Sequence, residues 1–356
     1  MELVNQTAVP ALAVLAAGAE GGPRIGMLVA KATFELSGRL TDLVTEDPYP
    51  LFEQDEETEV GILPADVHPR PQSTFEVLLV GSAQAPGGRP IPALTVGLTV
   101  GSVSKTMAVF GDRWWTPHGQ MTPPQPFATM PLTWDRAFGG SCDVWLDDST
   151  IVESRDPMNY LGSGFDAVYA SERLADAMGA APSYPRVAYE RRLPNLEDPA
   201  ALIRTPQDSP DPMCWSPAPP GVGFSQVRLM REVKEAPDPV AANPSGETVT
   251  LRAHPDWQIP LPEVGAQVVL DGCAPEGRLA FELPRLRVLA DFVLGDRQGQ
   301  RELTPQILTL LPDQRRMCIA YRSHFTVDVE EGMERSFRLR LEEGWYSPTR
   351  SVSDGG

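Results

Sequence analysis

The chain has few cysteines, little basic charge and no long apolar run, and each shortage removes a class of protein. Cys142, Cys214, Cys273 and Cys318 are scattered, with no C-x-x-C pair. That fits reduced thiols in a cytosolic protein better than a disulfide framework or a zinc site. The apolar run from Ala8 to Ala17 is broken by Pro10, and no Lys or Arg precedes Arg24. It reads neither as a secretory signal nor as a membrane span, so a cytoplasmic location is expected. Net charge is −18, with both halves acidic: 8 Lys+Arg face 18 Asp+Glu in residues 1–150, and 22 face 30 in the remainder. Such a surface repels nucleic acid and anionic membranes, and neither is expected as a partner.

Catalytic signatures are missing as well. No Walker-type loop, G-x-G-x-x-G turn, H-E-x-x-H or G-x-S-x-G elbow occurs. His68, His118, His254 and His324 are isolated, so no metal and no cofactor is expected. Ser102-Val103-Ser104-Lys105 matches the S-x-x-K nucleophile motif, but its flanks alternate with period two. A strand would turn Ser102 and Lys105 to opposite faces, so a plain turn is expected there. Adjacent acids such as Asp147-Asp148 carry little weight in a chain with 48 Asp+Glu.

What is abundant is proline, 37 residues of 356. Each removes a backbone donor and fixes φ, which disfavours long helices and favours extended connections. Period-two alternation dominates the rest. Leu28, Ala30, Ala32, Phe34 and Leu36 share one face, with Lys31, Thr33 and Glu35 on the other. Phe75–Val80 reads as a buried strand, and the runs Leu94–Val100 and Val103–Val109 around Gly101-Ser102 read as a hairpin. Leu286–Leu294, Met317–Tyr321, Phe325–Val329 and Phe337–Leu341 alternate likewise, with a second hairpin around Pro312-Asp313. The spacing predicts a helix over Phe165–Met178 closed by Gly179, and a short one over Asp198–Arg204. Thr205–Gly223 reads as an ordered, extended strap, Lys234–Gly246 as an exposed loop.

The expected fold is therefore mainly β: two β-rich lobes or packed sheets joined by an irregular middle with one or two short helices. The divisions fall at residues 1–140, 141–225 (with the helix near 165–179), 226–346, and a tail at 347–356. The run Glu53-Gln54-Asp55-Glu56-Glu57-Thr58-Glu59 is the sharpest local charge. It reads first as a solvated loop, and second as a docking site for a basic partner or a metal.

The most distinctive stretch is Gly111–Gly140, which places Arg beside Trp twice among aromatics and glycines. Guanidinium planes stack on indoles and anchor many interfaces, and the same groups also pin loops to their own sheet. Arg113, Trp114, Trp115, Trp134, Arg136 and Phe138 are the candidates for a partner-binding surface, with Lys31, Asp112 and Asp135 secondary.

The blocks Lys31-Ala32-Thr33-Phe34, Val80-Gly81-Ser82-Ala83, Pro86-Gly87-Gly88-Arg89, Phe110-Gly111-Asp112-Arg113-Trp114 and Met130–Gly140 carry a resemblance. So do Leu193–Pro199, Phe281-Glu282-Leu283-Pro284 and Leu311–Arg316. Over roughly residues 5–325 the chain resembles the domain-of-unknown-function 2169 family of Gram-negative bacteria. The family's N-P-x-G-x-G element stands here as Asn159-Tyr160-Leu161-Gly162-Ser163-Gly164, without its proline. The resemblance implies a non-catalytic adaptor or chaperone that binds a type VI secretion effector or PAAR-like tip protein and delivers it to the VgrG spike. Two alternatives stand beside it: an effector-modifying or carbohydrate-active enzyme using Asp112, Asp135 or Asp147, and a structural part of the secreted spike.

Overall fold

The computed structural model describes residues 2–15, 24–39, 41–58, 61–67, 74–116, 118–145, 151–166, 191–219, 251–327 and 335–344. The predicted helix at Phe165–Met178 and the loop at Lys234–Gly246 fall, wholly or nearly so, outside these residues, as does the tail.

The fold is mainly β, as the alternation predicts. Its larger sheet has ten strands. Seven run in the order β1 (Glu2–Asn5), β23 (Arg335–Glu343), β20 (Leu286–Leu294), β21 (Arg297–Leu311), β22 (Arg316–Val327), β3 (Arg24–Leu36) and β2 (Ala11–Leu15). The two end strands of that order, β1 and β2, lie against each other, so the sheet nearly closes. Beyond the closed end, β4 (Thr41–Leu43) pairs with β3, and β7 (Phe75–Leu79) pairs in parallel with the far half of β21. Two-residue β17 (Gln258–Ile259) extends β7. The stretch from Met317 to Val327, which the sequence divides, is one continuous strand.

A second sheet orders β16 (Leu196–Glu197), β10 (Val103–Phe110), β9 (Ala93–Val100), β18 (Gln267–Asp271) and β19 (Arg278–Glu282). Ser102 sits in the β9–β10 turn, and Lys105 leaves β10 to pair with Asp256 at 2.8 Å. The S-x-x-K motif is therefore a hairpin turn, not a helix opening. Four two-stranded ribbons complete the set: β5 (Glu56–Thr58) with β6 (Gly61–Leu63), β8 (Ser82–Gln84) with β11 (Thr129–Pro131), β12 (Phe138–Gly139) with β15 (Ser163–Gly164), and β13 (Ser141–Trp145) with β14 (Ile151–Arg155).

One apolar core joins the sheets. Leu28, Ala30, Ala32 and Phe34 of β3 meet Met317, Ile319 and Tyr321 of β22, and the same cluster takes in Val96, Leu98, Met107 and Val109 of the second sheet. Leu, Val and Ile at alternate positions supply this because a pleated strand sends every second side chain to one face. The opposite face of β3 is also covered. Lys31 is buried there, ion-paired to Asp66 at 2.9 Å and 4.5 Å from the Phe52 ring centre. That position makes Lys31 an anchor for residues 44–66, enclosed on every side.

The strap lies where proline content places it. Pro212–Pro219 is buried without regular structure, fixed by Leu79 N–H to Trp215 O (2.8 Å) and Ala218 N–H to Arg252 O (2.8 Å). Asp198–Arg204 is a correction: it forms turns, and the described helical elements are four short 3-10 segments. Side chains draw off the donors a helix would need. Asp198 accepts from Ala200 N (2.8 Å), Glu197 from Ile203 N (2.8 Å), and Asp208 from Arg204 N (2.7 Å) and Thr205 N (2.8 Å). No helix among the described residues is long and apolar enough to cross a membrane.

Candidate functional site

Gly111–Gly140 leaves the end of β10 and folds back over its own start. Gln125 N–H reaches Asp112 O at 3.0 Å, and a Cβ at Gly111 would overlap the Gln125 carbonyl oxygen. Only glycine admits so close a backbone approach. Residues 191–197 then thread between the two ends of the stretch. Trp115 N donates to Arg191 O (2.9 Å), Leu193 N to Arg113 O (2.9 Å), Asn195 N to Arg136 O (2.7 Å) and Phe110 N to Asn195 O (2.8 Å).

The sequence candidates separate into an inner and an outer layer. Arg113, Trp115, Trp134 and Phe138 are inside. Arg113 lies over the Phe110 ring at 3.9 Å, ion-pairs with buried Glu197 and donates to Pro194 O at 3.2 Å. Burial pushes the Glu197 carboxyl above its ordinary value, and the Arg113 charge works the other way. Trp115 and Phe138 pack with Leu193 and Ile203. The Trp134 indole N–H donates to Ser216 O at 3.0 Å, tying the stretch to the strap.

The outer layer is Asp112, Trp114, Asp135, Arg136 and Arg192, held from beneath by the fully buried Asn195. Asp112 Oδ1 accepts from Arg192 Nη2 (2.6 Å), Asn195 Nδ2 (3.0 Å) and Arg136 Nη1 (3.4 Å). Asn195 Oδ1 accepts from both arginines, at 3.1 and 3.2 Å. Against the raising effect of partial burial, the hydrogen bonds from Asn195 and Arg192 and the two nearby arginine charges hold Asp112 below the usual carboxylate range. Asp135 is exposed and lies 3.6 Å from Arg136 Nε. Trp114 is half-buried, directly across a β-bridge from Arg192. Asp147 lies outside the described residues.

The sequence reading of single residues missed Arg192, Asn195, Glu197 and Asn159. The signal for Asn195, Glu197 and Asn159 was the Leu193–Pro199 and Asn159–Gly164 blocks, which are remote in sequence from Gly111–Gly140; Arg192 lies just outside them. Asn159 is fully buried, and its amide donates to Trp134 O (2.8 Å) and Phe138 O (3.0 Å). Tyr160 takes the family's proline position and is exposed, so the turn is held by Asn159 and its glycines.

On the other side of Trp134 a cleft of about 210 Å³ opens between Ile62, Val80, Leu161, Pro217 and Pro219, with Thr133, Asp135 and Ser216 as its polar margin. Among the described residues no group of three His, Cys, Asp or Glu is placed to hold a metal. Three thiols are buried and quiet: burial pushes Cys214 and Cys273 up to about 12 and Cys318 up to about 11.

No curated protein and no solved structure matches the chain. The family model described as an uncharacterized protein conserved in bacteria, DUF2169, matches residues 21–322, which hold the second sheet, every residue of the site, and the larger sheet except β1, β2, β23 and the end of β22. The chain belongs to the DUF2169 family.

Proposed function

We infer that the chain is a non-catalytic adaptor or chaperone. It binds a type VI secretion effector or a PAAR-like tip domain in the cytoplasm and loads it onto the VgrG spike. The observation that carries the reading is the layering of the signature stretch. Buried Arg113, Trp115, Trp134 and Phe138 fix a surface of Trp114, Arg136, Arg192 and Asp112 that is ordered by hydrogen bonds. Aromatic and arginine side chains held in place bind a protein partner with little ordering cost.

Native co-purification from the source cells, with partners identified by mass, tests it. The expected result is a secretion toxin or tip protein; recovery of small ligands alone overturns the reading. Trp114→Ala and Arg136→Ala variants should stay folded and lose affinity for that partner by about ten-fold each, read by titration calorimetry.

A further inference from the structure

The cleft beside Trp134 and the acidic run near residue 56 belong to one surface. Ile62, which forms one wall of the cleft, stands on β6, and its direct cross-strand partner on β5 is Glu57. Directly opposed residues of an antiparallel pair project to the same face. Glu57 is exposed, so the hairpin presents an apolar side chain to the cleft and a carboxylate beside it, while Glu56, paired with Leu63, faces the other way. Asp135, its side chain 59% exposed and 3.6 Å from Arg136 Nε, also lines the cleft. The walls between are Trp134, Val80, Pro217, Pro219 and Leu161, the last 42% exposed.

The cleft is preformed. Ser216 O is bound to the Trp134 indole, Trp215 O to Leu79 N, and Asn159 holds Trp134 O from behind. An apolar floor with carboxylates at its margin complements a segment that is apolar at its centre and cationic at its flanks. We propose that it takes an extended segment of a protein partner that presents a large apolar side chain flanked by Lys or Arg. The apolar side chain enters beside Trp134 and Leu161. The flanking cations sit over Asp135 and over Glu57, and the surrounding charge of −18 steers the segment in. This rests on the protein-binding reading and adds where and what the chain binds.

The probe is the peptide fluorescein-Gly-Lys-Leu-Pro-Leu-Lys-Gly-amide, labelled at its N-terminus so that both lysines stay charged, titrated with the full chain and read by anisotropy. It should bind, and binding should weaken as salt is raised. Replacing its lysines by glutamate, or its leucines by serine, should each abolish saturable binding. Leu161→Asp should weaken peptide binding by about ten-fold, and Glu57→Lys should weaken it by a factor that vanishes in high salt. Both positions are exposed, and circular dichroism checks that each variant is folded. No binding, or equal binding by the Leu161→Asp chain or by the glutamate peptide, overturns the proposal. The two readings fail separately: a secretion partner that co-purifies undiminished with Leu161→Asp removes the cleft and leaves the adaptor. A peptide that binds as described, while no protein co-purifies, does the reverse.

Discussion

Arg113→Ala would leave the Glu197 carboxylate buried without its cation, and the loss should be large. Removing one partner of a buried pair costs about 3–5 kcal/mol, and here the stacking of Arg113 on Phe110 goes with it. Urea denaturation measures it. Glu76 offers a test of sign. It is buried and accepts from Arg252 N (2.7 Å) and Ala253 N (2.8 Å), and burial pushes its carboxyl above the ordinary value against those bonds. A carboxyl raised on folding contributes stability that is complete below its unfolded pKa and is lost as pH rises through the folded one. The stability of the natural chain minus that of Glu76→Gln should therefore fall as pH rises above the ordinary carboxyl value of 4.5. A flat or rising difference would contradict the assignment. At this scale the sequence was informative about composition and poor about depth. The same Arg-Trp pairing put Arg113 and Trp134 inside and Trp114 and Arg136 outside, because depth depends on residues 191–197, far off in the chain.

Strands with long alternation were legible because periodicity is local. β3, β9, β10, β20 and β23 needed only their own residues. The two-residue pairings β12–β15 and β10–β16 were not, since they are too short for a period and exist through their partners. The Asp198–Arg204 turns were hidden because side-chain acceptors outcompeted the helix there. The β12–β15 crossing gives the sharpest element-level test. Gly140 has φ of 100°, and a Cβ there would overlap Gly162 O. Gly140→Ala should cost about 3 kcal/mol or more, from strain and backbone collision together. Gly87, with φ of 61° and open space around it, should lose only about 1 kcal/mol as Ala. Thermal melts of the two variants side by side separate conformational strain from crowding.

For the whole molecule, both sheets mix strands from early and late sequence, so the nearly closed sheet is a property of the full chain. The family match stops at residue 322, inside β22, and begins after β2. β23 lies beyond it and is hydrogen-bonded on both sides, to β20 and β1. A fragment cut to residues 21–322 should therefore be insoluble or lack cooperative unfolding, which expression and calorimetry would show. None of this was visible in the alternation, which reports that a strand exists and says nothing of its neighbours.

The parallel pairing of β1 with β23 also sets a clock. Glu2–Asn5 is synthesised 334 residues before its parallel partner Ser336–Leu339. At about 5–20 residues per second the N-terminal strand waits about 20–60 s for its place. Through that interval Leu3 and Val4 have no partner strand, and neither edge of the unfinished sheet is closed. Until then the unpaired strand is open to contact with other proteins.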